Sequence, residues 1–224
     1  MNTILALEKL ASIFDYYKEH IADLTATVFA IKVGEEELVK YRSDVDAKSR
    51  TILQIGLRMI LVYGIVLFEE MIKEYMKVFF QVYPRTLIIQ DNNGNSKSKC
   101  LDYDTILGAG SYEELLDVMI EKEIYKFGRK NIDEIERFFD RKLKVEPFST
   151  RVDKWEELRR GYYVRNLIVH NRGVMNEFVY KKIEWGQIGE SVQIQPKLVF
   201  DLNSALGAFN EYLYKVFKDK LRAA

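Results

Sequence analysis

Residues 162–173 read YYVRNLIVHNRG, and within this apolar stretch stand Arg165, Asn166 and His170, one of only two histidines in the chain. An imidazole gives or takes a proton near neutral pH. A guanidinium stays charged and presents forked donors that match phosphate oxygens. A carboxamide can hold either group in orientation. These are parts suited to cleaving a phosphodiester without a metal. A base deprotonates an attacking hydroxyl, a cation stabilises the charge that builds on phosphorus, and an acid protonates the leaving oxygen. One histidine does not easily fill both proton-transfer roles. Two copies of the segment across a two-fold axis would supply two histidines and two arginines.

A helix over 151–171 would position these groups. Each residue of a helix advances about 100°, so Asn166 and His170 share a face, with Arg159 and Tyr163 on the same arc. Arg165 lies about a quarter-turn from Asn166 and can reach round. Val164, Leu167 and Ile168 point elsewhere and anchor the helix. Thr150 with Asp153 is a plausible cap, and Gly173 a plausible C-terminal stop. Every one of these residues also has a structural reading. His170 would cap a helix end, and Arg165 would pair with Glu156 or Glu157. Asn166 would bond a carbonyl. Arg159, Arg160 and Arg172 would be solvated charges, and Tyr162 and Tyr163 would pack in a core. Arg-x4-His is common by chance, so spacing alone favours those readings.

The remainder of the chain predicts a helical protein. Its 224 residues are 48% apolar, enough for a substantial core and too apolar for disorder. Basic and acidic residues balance at 34 each, which argues against coating nucleic acid by charge alone but leaves room for a local basic patch. The single cysteine, Cys100, excludes an intrachain disulfide and fits a reducing cytoplasm. No zinc constellation or other metal spacing is visible, so no metal or cofactor is expected. The N-terminal residues lack the basic and apolar regions of a signal peptide. Gln54 and Arg58 interrupt the apolar run 52–68, and the unbroken part, Met59 to Phe68, is too short to span a bilayer; it predicts a helix buried in protein and no membrane partner, with a membrane span as the lesser alternative.

Prolines occur only at 84, 147 and 196. The periodicity predicts a first helix over 2–31 stopping at Gly34, another helical segment from Glu35, and a long helix from Asp46 to Val82. Residues 86–103 read as a hairpin or loop. Ser111 with Glu114 has the form of a capping box, and NIDEIERFFDRKL is amphipathic, its charges on a solvated face. Residues 178–200, around Gly186 and Gly189, suggest a second short hairpin, and 201–221 a final helix. The expected class is all-α: a single bundle over 1–224 with a long central helix and one or two β-hairpin excursions.

The string R-N-L-I-V-H followed by N-R-G resembles the motif of the HEPN superfamily, the higher eukaryote and prokaryote nucleotide-binding domains. That motif is an arginine, four to six residues, then a histidine, commonly with a polar residue directly after the arginine. Arg165, Asn166 and His170 match its four-residue form, and a long helix ahead of a late motif helix matches its context. The resemblance implies a HEPN-like bundle and a metal-independent endoribonuclease. In that reading two chains form a composite site in a cleft, and cleavage through the RNA 2′-hydroxyl leaves a cyclic phosphate. It also implies prokaryotic defence or a toxin–antitoxin setting, with RNA as substrate and an antitoxin or defence protein as a further partner. Arg159, Tyr163 and Arg172 would extend RNA contact. Pairs silenced by a nucleotidyltransferase often carry a tyrosine two residues after the histidine, where this chain has Arg172. Some family members are non-catalytic modules that bind nucleotide, RNA or protein, commonly lacking the arginine or the histidine.

Overall fold

Proline cannot continue a helix and disfavours helical backbone in the residue before it. The long apolar segment accordingly ends just before Pro84, as helix α2 over Asp46–Val82. The computed structural model describes residues 2–41, 46–87, 89–90, 96–97 and 103–223. Helix α1 spans Thr3–Tyr41 and runs through Gly34, where a stop and a new segment were expected. Beyond the helix's own backbone and the adjoining residues, no atom lies within 4 Å of where a Cβ at Gly34 would sit. A glycine inside a helix costs only about 1 kcal/mol, and the strong helix formers that follow offset it.

The class is all-α. After a 3-10 turn at Pro84–Leu87 come two short strands, β1 (Ile89–Gln90) and β2 (Ser96–Lys97), paired antiparallel over two residues each. Most of the expected 86–103 hairpin or loop, Cys100 included, lies outside the described residues. Helices α3 (Tyr103–Gly108), α4 (Tyr112–Phe127), α5 (Ile132–Leu143), α6 (Phe148–Arg151), α7 (Trp155–His170), α8 (Glu177–Ile183) and α9 (Pro196–Arg222) follow. Ser111 caps α4 by accepting from the Glu114 N–H, but the Glu114 carboxylate reaches back to the Gly110 N–H at 2.7 Å. The reciprocal capping box forms instead at Asn131 and Glu134, opening α5.

No second hairpin forms over 178–200. Asn176 accepts from the Val179 N–H and starts α8, and Gly186 and Gly189 turn the chain at φ +81° and +85°. The only β feature near this stretch is an isolated bridge, Val174 to Ser191. Helix α9 then begins at Pro196 rather than near 201, with proline in the first turn, where its missing N–H costs nothing.

One domain was expected over 1–224; the chain divides into two compact units, each discontinuous in sequence. The first comprises Met1–Phe14, Glu70–Pro147 and Leu213–Ala224, the second Asp15–Glu69 and Phe148–Tyr212. In the first unit Phe217 gathers the core, with ring contacts to Tyr75, Phe79 and Phe139. Tyr83 donates to the Lys220 carbonyl at 2.6 Å, and burial raises its phenol pKa, which keeps it a neutral donor. Lys77 sits between Glu74 and Glu121 there; burial lowers its pKa, but the two carboxylates outweigh this and raise it.

In the second unit Phe209 holds the same place, against Phe68, Phe148 and Trp155. By length and composition Ile52–Val82 could cross a bilayer, a test that the core helix of a soluble protein also passes; 39% of its apolar window is buried. Helices α7 and α9 approach closely at Gly161, where a Cβ would stand 2.9 Å from Leu202 Cδ1. Gly161→Val should therefore destabilise the second unit by about 1–3 kcal/mol. Urea denaturation checks this, and an unchanged midpoint would contradict so tight a crossing.

Candidate active site

The motif helix begins later than its sequence suggests. Thr150 falls in α6, and the N-cap of α7 is Lys154, left-handed at φ 59° with no side-chain cap bond. Burial fixes the start instead: Trp155 is 3% exposed and tilts against Phe148 at 5.2 Å. From there Leu158, Gly161, Val164 and Leu167 face the core of the second unit. That leaves Arg165 and Asn166 half-buried and His170 exposed at the last helical position.

The helix end is built with care. The N–H groups of Asn171 and Gly173 both donate to the Leu167 carbonyl at 2.8 Å. Arg172 and Gly173 are left-handed at φ 53° and 75°. At Gly173 a Cβ would lie 3.4 Å from the carbon and both terminal nitrogens of the Arg58 guanidinium, so glycine is favoured by conformation, and a side chain there would touch Arg58. Arg58 also donates to Ser191 Oγ and the Val192 carbonyl, at 3.1 and 2.9 Å. One turn earlier on α2, Gln54 exchanges two 2.8 Å hydrogen bonds with the backbone of Ile194. The two polar residues that interrupt the apolar run thus hold the segment beside the turn that follows His170.

Arg165 does not pair with Glu156 or Glu157. It donates to Asn166 Oδ1 at 2.9 Å and to Glu69 Oε2 at 2.8 Å, and Glu69 comes from α2. The two side chains are 19% and 23% exposed, and Arg165 Nε is buried without a hydrogen-bond partner. Glu69 is the residue that sequence reasoning missed. Its one signal was an acid immediately after the apolar run that ends at Phe68. Among the described residues the His170 ring makes no hydrogen bond. The other histidine, His20, donates from Nδ1 to the Tyr16 carbonyl at 2.8 Å.

Arg165, Asn166 and His170 line one concavity of about 440 Å³, together with Tyr162, Asn171, Asn176 and Phe178. The residues assigned to wider RNA contact are placed differently. Tyr163 is 2% exposed and packs as core, so it offers no face for a base. Arg159 pairs with Glu156 at 3.2 Å and lies over the Tyr163 ring. Arg172 is exposed in the turn. A concavity of about 490 Å³ in the first unit carries Asp104, Glu114 and Asp117, whose carboxylates would repel a phosphate. Among the described residues no three His, Cys, Asp or Glu side chains gather as metal ligands. Comparisons with models of known families, with curated proteins and with solved structures return no match.

The chemistry available is a proton-transfer group with open access, beside a positioned cation. Glu69 largely balances the charge of Arg165, so a phosphate must compete with a carboxylate for that guanidinium. The pair also ties α2 to α7, which makes Arg165 a structural residue as well. Truncating Glu69 to alanine would leave a mostly buried guanidinium with one partner fewer, a loss of about 1–3 kcal/mol. His170→Ala should cost under about 1 kcal/mol, the scale of a surface charge at a helix terminus. Paired urea melts measure both, and equal losses would contradict this division.

Proposed function

We propose that the chain is a homodimeric endoribonuclease of HEPN type that cleaves RNA through its 2′-hydroxyl without a metal. The observation that carries the reading is that Arg165, Asn166 and His170 line a single concavity. The R-N-x3-H string supports the same reading. In the proposed reaction a base removes the proton of the 2′-hydroxyl, whose oxygen attacks phosphorus. The bond to the 5′ oxygen breaks as an acid protonates it, leaving a 2′,3′-cyclic phosphate and a 5′-hydroxyl. His170 and its copy in a second chain take these two roles in turn. Arg165 steadies the charge on the non-bridging oxygens, and Asn166 orients Arg165 through their mutual hydrogen bond.

An exposed apolar line on α2 supports the second copy. Ile52, Ile55, Met59, Tyr63 and Val66 are 67%, 54%, 67%, 48% and 37% exposed. Their spacing places them on one helical face, which leads along the same helix to Glu69. A cytoplasmic setting and a role in defence or a toxin–antitoxin pair belong to this reading.

The Glu69–Arg165 pair favours a second reading, a non-catalytic HEPN module that binds nucleotide, RNA or a protein partner, because the cation is already engaged. One assay separates the two. Wild type should cleave RNA in excess EDTA, and His170→Ala should lose about 10²–10⁴ of the rate while melting like wild type. Cleavage that vanishes with EDTA and returns with added magnesium or manganese would contradict the mechanism. No cleavage by wild type would leave the binding module.

A further inference from the structure

The concavity beside Arg165 and His170 has an apolar wall that the phosphate chemistry does not use. Phe178, near the start of α8, is 64% exposed yet lines the same cavity. Its ring is seated, since Tyr163 meets it in an edge-type contact at 6.4 Å with the ring planes at 69°. Tyr163 is itself buried and under the Arg159 guanidinium. An aromatic ring is therefore open to solvent within one small cavity that also holds a cation and a histidine.

Two asparagines line the same cavity as that ring. Asn176 Oδ1 accepts from the Val179 N–H at 2.9 Å, and among the described residues its amide N–H groups stay unengaged. Asn171 gives its Nδ2 to the Val174 carbonyl at 2.6 Å and keeps its Oδ1. Both residues line the cavity. A donor and an acceptor beside an aromatic face match the edge and the face of an unpaired nucleobase, whereas in a duplex that face is covered by its neighbours.

We propose, resting on the ribonuclease reading above, that Phe178 is a base platform: it stacks the nucleobase next to the phosphodiester held at Arg165 and His170, and Asn171 and Asn176 contact that base's edge. The occupant is a single-stranded RNA. Stacking on an aromatic side chain tolerates every base, and its loss on alanine substitution typically weakens binding roughly ten-fold or more. The asparagines add base preference at that one position.

The test uses His170→Ala as the parent, so that bound RNA stays intact. The probe is a short single-stranded RNA whose cut position has been mapped with wild type, with 2-aminopurine placed beside the cut. Binding to the parent should quench the 2-aminopurine. Adding Phe178→Ala should weaken binding roughly ten-fold and abolish the quench. Phe178→Trp should keep both, and Phe178→Leu should lose the quench. Because Phe178 is largely exposed, these variants should melt like the parent. If Phe178→Ala binds and quenches as the parent does while wild type cuts the RNA, the platform is overturned and the ribonuclease reading stands. If wild type neither binds nor cuts RNA, both fall.

Discussion

Arg165 is a charged side chain set mostly inside a helical unit, and everything around it follows from the need to satisfy that charge. Glu69 and Asn166 engage two of its nitrogens, at 2.8 and 2.9 Å. An ion pair with this little solvent gains little net stability over an apolar pair, but removing one partner is expensive. The pair therefore specifies more than it stabilises. It sets which face of α7 meets α2, and with that, where Asn166 and His170 emerge. A guanidinium with two fixed donors and a buried Nε has little freedom left. Its position is set, but a phosphate would have to compete with Glu69 for it.

The same helix, α2, governs the other end of the site. Gln54 and Arg58 are polar interruptions in an apolar run, and each is occupied by the backbone of the segment between α8 and α9. Arg58 also fills the space over Gly173. The turn after His170 is thus packed from below by α2 and joined on the other side by the bridge from Val174 to Ser191. Three residues of one helix, Gln54, Arg58 and Glu69, hold the two ends of a site whose Arg165, Asn166 and His170 all come from another.

Much of this could be read from the residues. The all-α class, the limits of α2 at Asp46 and Val82, and the placement of Arg165, Asn166 and His170 on a late helix follow from apolar periodicity and Pro84. What escaped depended on tertiary partners or on weak local penalties. Glu69 lies far from Arg165 in sequence, and nothing in FEE marks which acid turns inward. Tyr163 sits on the expected helical arc, yet it is buried because α8 folds back over it, and α8 itself was read as part of a hairpin. Its start rests on one asparagine cap, which β-branched and aromatic neighbours disguised. Gly34 read as a stop because glycine so often is one, but a long helix absorbs a single glycine at an open position.

The central claim is that the arginine and histidine act on a phosphodiester whose own 2′-hydroxyl is the nucleophile. The most direct measurement compares an all-ribose RNA with the same RNA carrying one 2′-deoxy sugar at the mapped cut, with analysis of the product ends. The account predicts that the first is cut to a 2′,3′-cyclic phosphate and that the second resists. Cleavage of the deoxy substrate at an undiminished rate would contradict it.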